Sequence, residues 1–295
     1  MFVEIDHQIT LDLGGRNSRR LYEAVRADDP LVKTAAERLQ RACESGGHVL
    51  LTTGFPIVPP GAPETDGPLG TVVLARALAR LGATPVLVVE PMVRDPITAL
   101  ADELGCDFPV ETVEPTATSA DSLLDRYEPT ALVAIEKPGR CADGSYRNMA
   151  GADILEYVGP VDGLFEQARE QGIPTVAVGD GGNELGMGVV QSTVEAAIPH
   201  GETIACVTPV DALVVAGVSN WGAYGIVAAL SVFAGENLLH TGEAERRLLA
   251  RSLSAGCVDG VSGDSETCVD GIACEIHESV VDILHRSCAA ELATD

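Results

Sequence analysis

The stretch HVLLTTG at residues 48–54, continued by FPIVPPGAPETDGP at 55–68 and LGTVVLARALARLG at 69–82, decides the fold of this chain. The first part is apolar or β-branched and ends in glycine, whereas the last part repeats apolar residues at helical spacing. The stretch therefore predicts a buried strand, a long loop and a helix.

The loop ends in Glu64, Thr65, Asp66, Gly67 and Pro68, which predict a helix start. Asp66 can accept hydrogen bonds from free backbone N–H groups, and Pro68 suits the first helical turn. Because a helix start also attracts anions, we expect this segment to bind a carboxylate or phosphate; the alternative is a capped helix with a purely structural loop. The P-loop lysine and the three spaced glycines of dinucleotide sites are missing, so no nucleotide cofactor is expected.

Strand and helix patterns alternate along the rest of the chain, as is typical of parallel βαβ units. Apolar runs predict further strands over residues 85–91, 108–113, 131–137, 175–180 and 212–217. Helical spacing predicts helices over residues 96–105, 119–127, 163–172, 243–255 and 275–288. We expect a three-layer α/β fold of Rossmann-like type, in which a mostly parallel twisted sheet carries helices on both faces. Residues 1–47 are predicted to form an N-terminal helical appendage, and residues 48–295 a single α/β domain.

The composition is strongly acidic: the chain has 44 Asp and Glu residues and 19 Lys and Arg residues, which gives a formal net charge of −25. Lys33 and Lys137 are the two lysines. A hydrophobic fraction of 46% still allows a full core. Such a chain is typical of a protein kept soluble in a high-salt cytoplasm, with an ordinary acidic protein as the alternative. We expect neither nucleic acid nor a membrane as a partner.

The eight cysteines form no C-x-x-C pair and no cluster with zinc spacing, so reduced thiols are expected. The first ten residues do not resemble a secretory signal, which predicts a cytoplasmic location. The uncharged segment 212–235 is long enough to cross a bilayer. Because Gly217, Asn220 and Gly222 interrupt it, we expect a strand, a polar loop and a helix instead.

Polar residues follow each predicted strand. The carboxyl ends of parallel strands share one edge of a sheet, so these residues are expected to form one ligand site. They are Thr53, Gly54, Glu64 and Asp66; Glu90; Glu136, Lys137, Gly139, Arg140 and Asp143; Asp180, Gly181, Gly182, Asn183 and Glu184; and Ser219, Asn220 and Trp221.

The segment GDGGNELGMG at residues 179–188 is the most unusual of these strand ends. Its glycines let the backbone approach a ligand closely. Asp180 and Glu184 offer oxygen atoms to a hard divalent ion, or a general acid/base pair. The alternative is a glycine-rich turn in which Asp180 and Asn183 only cap the next helix.

Three cations near the strand ends are also candidates. Lys137 stands out because the chain has one other lysine, although a surface position fits the sequence equally well. Arg140 and Arg147 have the planar fork that binds a carboxylate through two hydrogen bonds, although most arginines only solvate a surface.

The C-terminal part contains Val-Asp-Gly twice, at residues 258–260 and 269–271. Asp259 and Asp270 could complete the site at the strand ends. Asp-Gly is also a turn dipeptide, so two structural turns are the alternative. His277, on the last predicted helix, is expected to be structural rather than catalytic.

Several motifs together resemble the family of the D-glutamate cyclase C-terminal domain, long described as a domain of unknown function. They are TGFP with PPGAPETDGPLG, EKPGRCADGSYRNMAGADI, GDGGNELGMG, GVSNWGAYG, and AGCVDGVSG with CVDG, and they extend over nearly everything from residue 45 onward. The resemblance implies a carbon–oxygen lyase that converts D-glutamate to 5-oxo-D-proline and water, assisted by a divalent cation such as Mn²⁺.

That reaction needs an electrophilic γ-carboxyl, a deprotonated amine and a protonated leaving oxygen. The candidate residues fall into three groups by role. Catalytic roles are predicted for Glu136, Lys137, Asp180 and Glu184; metal binding for Glu64, Glu136 and Asp180; and substrate binding for Thr53, Gly54, Thr65, Asp66, Gly67, Arg140, Arg147, Asn183, Asn220 and Asp259.

In the animal cyclase this domain follows a hydro-lyase-like region, which a chain of this length is not expected to contain. The chain could therefore be a relative with another substrate, a subunit of a homo-oligomer, or a subunit that needs a separately encoded partner. A small-anion or nucleotide sensor without turnover is a hypothesis of another class, but clustered carboxylates beside glycines favour an enzyme. The absent P-loop lysine argues against phosphoryl transfer.

Overall fold

The computed structural model describes residues 1–26, 29–115, 117, 120 and 122–293. Its central sheet contains the strands β1 (His48–Thr53), β4 (Thr84–Val89), β5 (Val110–Thr112), β6 (Ala131–Ile135), β7 (Thr175–Gly179) and β8 (Ala212–Val215). Two short hairpins are formed by β2 (Pro56–Ile57) with β3 (Ala62–Pro63), and by β9 (Cys268–Val269) with β10 (Ile272–Ala273). The helices are α1 (Phe2–Ile9), α2 (Ser18–Val25), α3 (Leu31–Glu44), α4 (Pro68–Arg80), α5 (Pro91–Glu103), α6 (Ser122–Tyr127), α7 (Asp162–Glu170), α8 (Gln191–Ala197), α9 (Gly201–Ile204), α10 (Ser219–Ala234), α11 (Gly242–Ser254) and α12 (Cys274–Leu292).

All six strands of the central sheet are parallel, in the order β5-β4-β1-β6-β7-β8. Counted along the chain, this is the doubly wound order 3-2-1-4-5-6 of Rossmann-type folds. The predicted α/β fold is therefore confirmed. Ligands of such sheets bind where the strand order reverses, which here is between β1 and β6. Thr53 pairs with Ile135 at that point, so Gly54 and Glu136 leave the sheet side by side.

Helices cover both faces of the sheet because right-handed crossovers place α4 and α5 on one face and α6 and α7 on the other. Helix α10 packs against α3, α4 and α12. Its surroundings explain why the segment 212–235 lacks charges: nearly the whole helix is buried in protein. None of the described helices is long and apolar enough to cross a membrane.

Several predicted element boundaries differ from the structure. Helix α5 begins at Pro91, so β4 ends before the predicted limit, and Pro96 lies inside the helix. Helix α10 begins at Ser219, so the predicted polar loop is the first turn of this helix. The predicted helix over residues 119–127 is described from Ser122, and residues 119 and 121 lie outside the described part of the chain.

The N-terminal helices share the main hydrophobic core with the sheet, through side chains such as Ile5, Ile9 and Leu21. The buried carboxylate of Asp6 accepts hydrogen bonds from the backbone N–H groups of Leu31 and Val32, and so joins α1 to the start of α3. The domain boundary at residue 47 stays a prediction. The segment between α1 and α2 passes the end of β8, where the N–H of Gly217 donates to the carbonyl of Ile9. This path brings Arg16, which belongs to the segment, to the candidate site.

Candidate functional site

A cavity of about 500 Å³ lies at the carboxyl edge of the sheet, where the strand order reverses. One wall is apolar and comes from residues 55–59 of the β2–β3 hairpin region and from residues 149–150. The polar part of the lining contains Glu64, Glu136, Asn148, Asn183 and Glu184. Residues 260–263 and Arg16 complete the lining. A space of this size and composition fits a small polar molecule.

Three buried carboxylates meet beside this cavity. One carboxylate oxygen each of Asp66, Glu136 and Asp180 lies within 4.8 Å of the other two. Asp66 precedes α4, whereas Glu136 follows β6 and Asp180 follows β7. Sequence analysis predicted Glu64, Glu136 and Asp180 as metal ligands; the group of oxygens that lie this close contains Asp66 with Glu136 and Asp180, and the role of Glu64 as a ligand stays a prediction. Oxygen atoms so arranged are the ligands that hard divalent cations prefer.

Asp66 also caps a helix that is distant in sequence. Its Oδ1 accepts a hydrogen bond from the N–H of Asn220 at 2.7 Å, and its Oδ2 accepts one from the N–H of Ser219 at 2.8 Å. The side chain of Asn220 in turn accepts hydrogen bonds from the N–H groups of Gly67 at 3.0 Å and Gly70 at 2.7 Å. Helices α4 and α10 thus cap each other. The predicted anion site at the start of α4 is not free, because Asn220 already accepts from these donors.

Glu136 is held at the edge of the sheet by an unusual backbone conformation and by Ser219. Its φ angle is +44°, in the left-handed region, and its carboxylate accepts a hydrogen bond from Ser219 Oγ at 2.5 Å. Gly67 leaves room for this arrangement, because a Cβ atom there would lie 2.5 Å from Thr53 Oγ1 and 2.7 Å from Glu136 Cβ. Backbone strain of this kind is concentrated at functional sites.

Arg16 brings the positive charge to the site. Its Nη1 donates to both carboxylate oxygens of Asp180, at 2.7 and 2.8 Å, and its Nη2 donates to Asp270 at 2.6 Å. Among the described residues that line the cavity, Arg16 is the only cation. Sequence analysis missed it. Its partners lie 164 and 254 residues further along the chain, and no local motif marks it.

Burial and mutual repulsion raise the pKa values of the clustered carboxylates. Burial is the largest cause for Glu64, Asp66, Glu136 and Asp180, and it raises the pKa of Asp66 to about 8. The next cause that raises the pKa is the charge of Asp270 for Glu64, Asp66 and Asp180, and the charge of Asp180 for Glu136. A bound divalent cation would reverse this effect, because it favours the charged carboxylates. The donor set therefore fits such an ion.

Three predicted cationic residues lie outside the cavity lining. Lys137 forms a buried ion pair with Glu90, whose carboxylate also accepts a hydrogen bond from the N–H of Gly159. Arg140 pairs with Glu166 at 2.5 Å. Arg147 pairs with Asp143 at 3.0 Å. Each of these charges has a carboxylate partner of its own, which explains the position without a substrate.

Other predicted site residues hold the loops of the site in place. The Glu184 carboxylate accepts hydrogen bonds from three backbone N–H groups, those of residues 180–182. Asp259 accepts from the N–H groups of Ser262 and Gly271, and so joins the two Val-Asp-Gly turns. Asn183 lines the cavity and donates to the carbonyl of Arg147. Thr65 Oγ1 donates to the carbonyl of Cys268.

Thr53 and His277 are the two remaining side chains, for which sequence analysis predicted substrate binding and a structural role respectively. Thr53 Oγ1 is buried and has no hydrogen-bond partner among the described residues. His277 is buried, accepts a hydrogen bond from Trp221 Nε1 at 2.9 Å and bonds to the carbonyl of Ile272 at 3.1 Å. Burial lowers the pKa of His277, which favours the neutral ring. A structural role for this histidine fits these contacts.

The strand order, the cavity at its reversal point and the buried carboxylates define a Rossmann-type α/β protein with an acidic ligand site. Residues 5–285 match the family described as D-glutamate cyclase-like, C-terminal, and the chain belongs to this family, as its motifs indicate. It is similar to the human protein named D-glutamate cyclase, mitochondrial, with 36% identity over 249 residues. The match covers 78% of this chain and 38% of the human protein. The chain thus spans well under half the length of that relative.

Proposed function

We propose that this protein converts D-glutamate to 5-oxo-D-proline and water. The observation that carries the proposal is the buried cluster of Asp66, Glu136 and Asp180 beside a cavity, in a chain of this family. The reaction forms a bond between the amine nitrogen and the γ-carboxyl carbon, and one γ-carboxyl oxygen leaves as water. It needs charge stabilisation at that carboxyl and the transfer of two protons from the ammonium nitrogen to the oxygen that leaves.

The same cluster is the proposed site of a divalent cation such as Mn²⁺, with Asp66, Glu136 and Asp180 as ligands. When bound, the cation would polarise the γ-carboxyl as a Lewis acid. The proposal is supported by the three buried carboxylates of the cluster, because a bound cation would compensate the charges that burial and mutual repulsion otherwise disfavour, and Arg16 pairs with Asp180 among them.

The protein side chains have distinct proposed roles. Glu136 belongs to the cluster and lines the cavity, so it is the predicted catalytic residue that we retain for proton exchange with the substrate. Arg16 keeps Asp180 and Asp270 in place through its three hydrogen bonds. The apolar wall formed by residues 55–59 and 149–150 limits the access of water to the reacting carboxyl.

The test is the formation of 5-oxoproline from D- and L-glutamate by the purified protein in molar KCl, with and without MnCl₂. We expect D-specific turnover that falls by about 10²-fold or more in Glu136→Gln and Asp180→Asn. Glu195→Gln is the matched control, because Glu195 is an exposed residue of α8. Folded protein that makes no 5-oxoproline would contradict the proposal.

A second candidate is a subunit that needs a separately encoded, hydro-lyase-like partner. The observation that favours it is the match to only 38% of the human cyclase. On this alternative, the isolated chain binds D-glutamate but turns it over only when that partner is added. The same assay, repeated with the partner region of the human protein, separates the two candidates.

A further inference from the structure

Glu64 and Asp270 are two buried carboxylates that do not belong to the proposed metal site. Each residue is 5% exposed. Glu64 Oε1 and Asp270 Oδ2 are buried and have no hydrogen-bond partner among the described residues. Buried acceptors without a donor are rare in proteins, and each one calls for an explanation.

The two carboxylates lie near each other, and Glu64 lines the cavity. They flank Gly260, where a Cβ atom would lie 2.3 Å from Glu64 Oε2 and 3.1 Å from Asp270 Oδ1. Gly260 also lines the cavity, so an ammonium group bound to Glu64 beside Gly260 would come within reach of Asp270. The absent side chain at Gly260 is therefore what allows Glu64 to occupy this position.

The unpartnered oxygens need a donor from outside the protein. Arg16 already makes three hydrogen bonds, two to Asp180 and one to the other oxygen of Asp270. In the described part of the chain, the group of three side chains close enough to share a metal ion contains neither Glu64 nor Asp270. An ammonium group carries a positive charge and three N–H donors with no acceptor, and so matches two ionised carboxylates; its charge would also offset the burial and the repulsion that raise the pKa of Glu64.

We propose that Glu64 and Asp270 form the subsite for the ammonium group of the substrate, so that the cavity prefers an amino acid to the corresponding dicarboxylic acid. This inference rests on the proposed function, which it deepens by assigning the residues that recognise the amine. It also separates the two functions of the acidic residues: Asp66, Glu136 and Asp180 serve the cation, and Glu64 with Asp270 serves the amine.

Calorimetric binding of D-glutamate and of glutarate tests the assignment, because glutarate has both carboxylates but no amine. The titrations use the full chain in molar KCl without MnCl₂, since the cation would support turnover of D-glutamate during the measurement. We expect the wild type to bind D-glutamate about 10- to 100-fold more tightly than glutarate, in line with hydrogen bonds to charged groups. Glu64→Gln and Asp270→Asn are expected to reduce this preference to about threefold or less, with glutarate affinity unchanged or higher.

Two further variants make the test specific. Asp264→Asn removes an exposed carboxylate from the same loop and should keep the preference. Gly260→Ala should reduce it, because the added Cβ displaces the carboxylate of Glu64. The affinity for Mn²⁺ alone, titrated separately, should change less than about threefold in Glu64→Gln and Asp270→Asn, which keep side-chain shape but lose charge.

The inference is overturned if the preference for D-glutamate is absent in the wild type or is retained in Glu64→Gln and Asp270→Asn. It is equally overturned if these variants lose Mn²⁺, or lose glutarate and D-glutamate alike, since the residues would then serve the cation or the fold. A wild type that prefers D-glutamate but makes no 5-oxoproline supports the ammonium subsite and contradicts the proposed function alone.

Discussion

Asp66 contributes both to the stability of the fold and to the candidate metal site. Its carboxylate caps α10, and one of its oxygens also lies within 4.8 Å of oxygens of Glu136 and Asp180. The first role is best served by a charged carboxylate, whereas burial and nearby negative charge favour the protonated form. The stability of the protein should therefore depend on pH and on bound cations.

In metal-free protein, we expect the melting temperature to fall by at least about 2 °C between pH 7 and pH 8.5. The pKa of Asp66 is raised from an ordinary 3.8 to about 8, so the folded protein holds a proton that the unfolded chain releases. The stabilisation that comes from this proton is fully present below pH 3.8 and is lost as the pH rises through about 8. Above pH 7, His277 no longer contributes, because its pKa is lowered. Thermal melts with EDTA at constant KCl measure the slope.

Asp66→Asn should reduce this slope without abolishing it, because Asp66 then has no proton to lose, whereas Glu64, Glu136 and Asp180 keep their raised pKa values. Addition of MnCl₂ to the wild type should also remove most of the fall, since a cation favours the charged carboxylates. Equal melting temperatures at the two pH values in EDTA would contradict the expectation.

Arg16→Ala should lower the free energy of unfolding by about 2–4 kcal/mol in metal-free protein, because Asp180 and Asp270 lose their buried partner. Mn²⁺ should then stabilise the variant more than it stabilises the wild type. Urea denaturation with and without MnCl₂ measures both effects. Arg19→Ala is the matched control, because Arg19 is 84% exposed in its ion pair and should change stability by less than about 0.5 kcal/mol.

For single residues, the sequence predicted the acidic side chains of the site better than the basic ones. Asp180 and Glu136 directly follow strands, so the rule for parallel sheets brings them to one edge. Arg16 lies in a segment between two helices, and only the folded chain brings it to Asp270. Arg140 and Arg147 follow a strand, but nearby carboxylates pair with both.

Among the elements, the mutual capping of α4 and α10 fixes the geometry of the site. Helix α4 follows β1 and the β2–β3 hairpin, and α10 follows β8, so the two helix starts are far apart in sequence. Each receives its cap from the segment at the start of the other. Sequence analysis placed Asp66 at the start of α4 as a cap for that same helix. Local patterns cannot show that Asp66 caps α10, because the exchange depends on how the helices pack.

Asn220→Ala should destabilise the protein by about 2–3 kcal/mol, because the N–H groups of Gly67 and Gly70 lose their acceptor in a buried place. It should also weaken Mn²⁺ binding, since the side chain of Asn220 donates to the carbonyl of Thr65 and so helps to position the neighbouring Asp66. Chemical denaturation and Mn²⁺ titration measure the two effects. Ser254→Ala, at an exposed position of α11, should leave both within error. If Asn220→Ala is as stable as the wild type, the cap contributes little to the free energy of unfolding.

For the whole molecule, the α/β fold with helices on both faces of a parallel sheet follows from the alternation of strand and helix patterns and from right-handed crossovers, whereas the strand order does not. The reversal between β1 and β6 was not predicted, because the sequence does not show on which side of β1 a later strand adds. The β2–β3 hairpin was also missed, since two-residue strands have no periodicity to detect. The cavity depends on both features.

The net charge of −25 leads to a prediction for the whole chain. At 0.2 M KCl the acidic groups repel one another, and 2 M KCl screens this repulsion because the Debye length falls to about 3 Å near 1 M salt. We expect the melting temperature to be at least about 5 °C higher at 2 M than at 0.2 M KCl. Equal melting temperatures at both concentrations would argue against adaptation to a high-salt cytoplasm, which stays a prediction.

Arg16 and Asp270 make contact although 254 residues separate them, and α1 packs against α12 nearby. The first and last parts of the chain therefore meet at the ligand site. A ligand that holds this contact closed acts as a reversible crosslink between the two ends. We expect D-glutamate with Mn²⁺ to slow hydrogen exchange of the amides in α1 and α12, although neither helix lines the cavity. Exchange mass spectrometry would then detect an occupied site as protection at both ends of the chain.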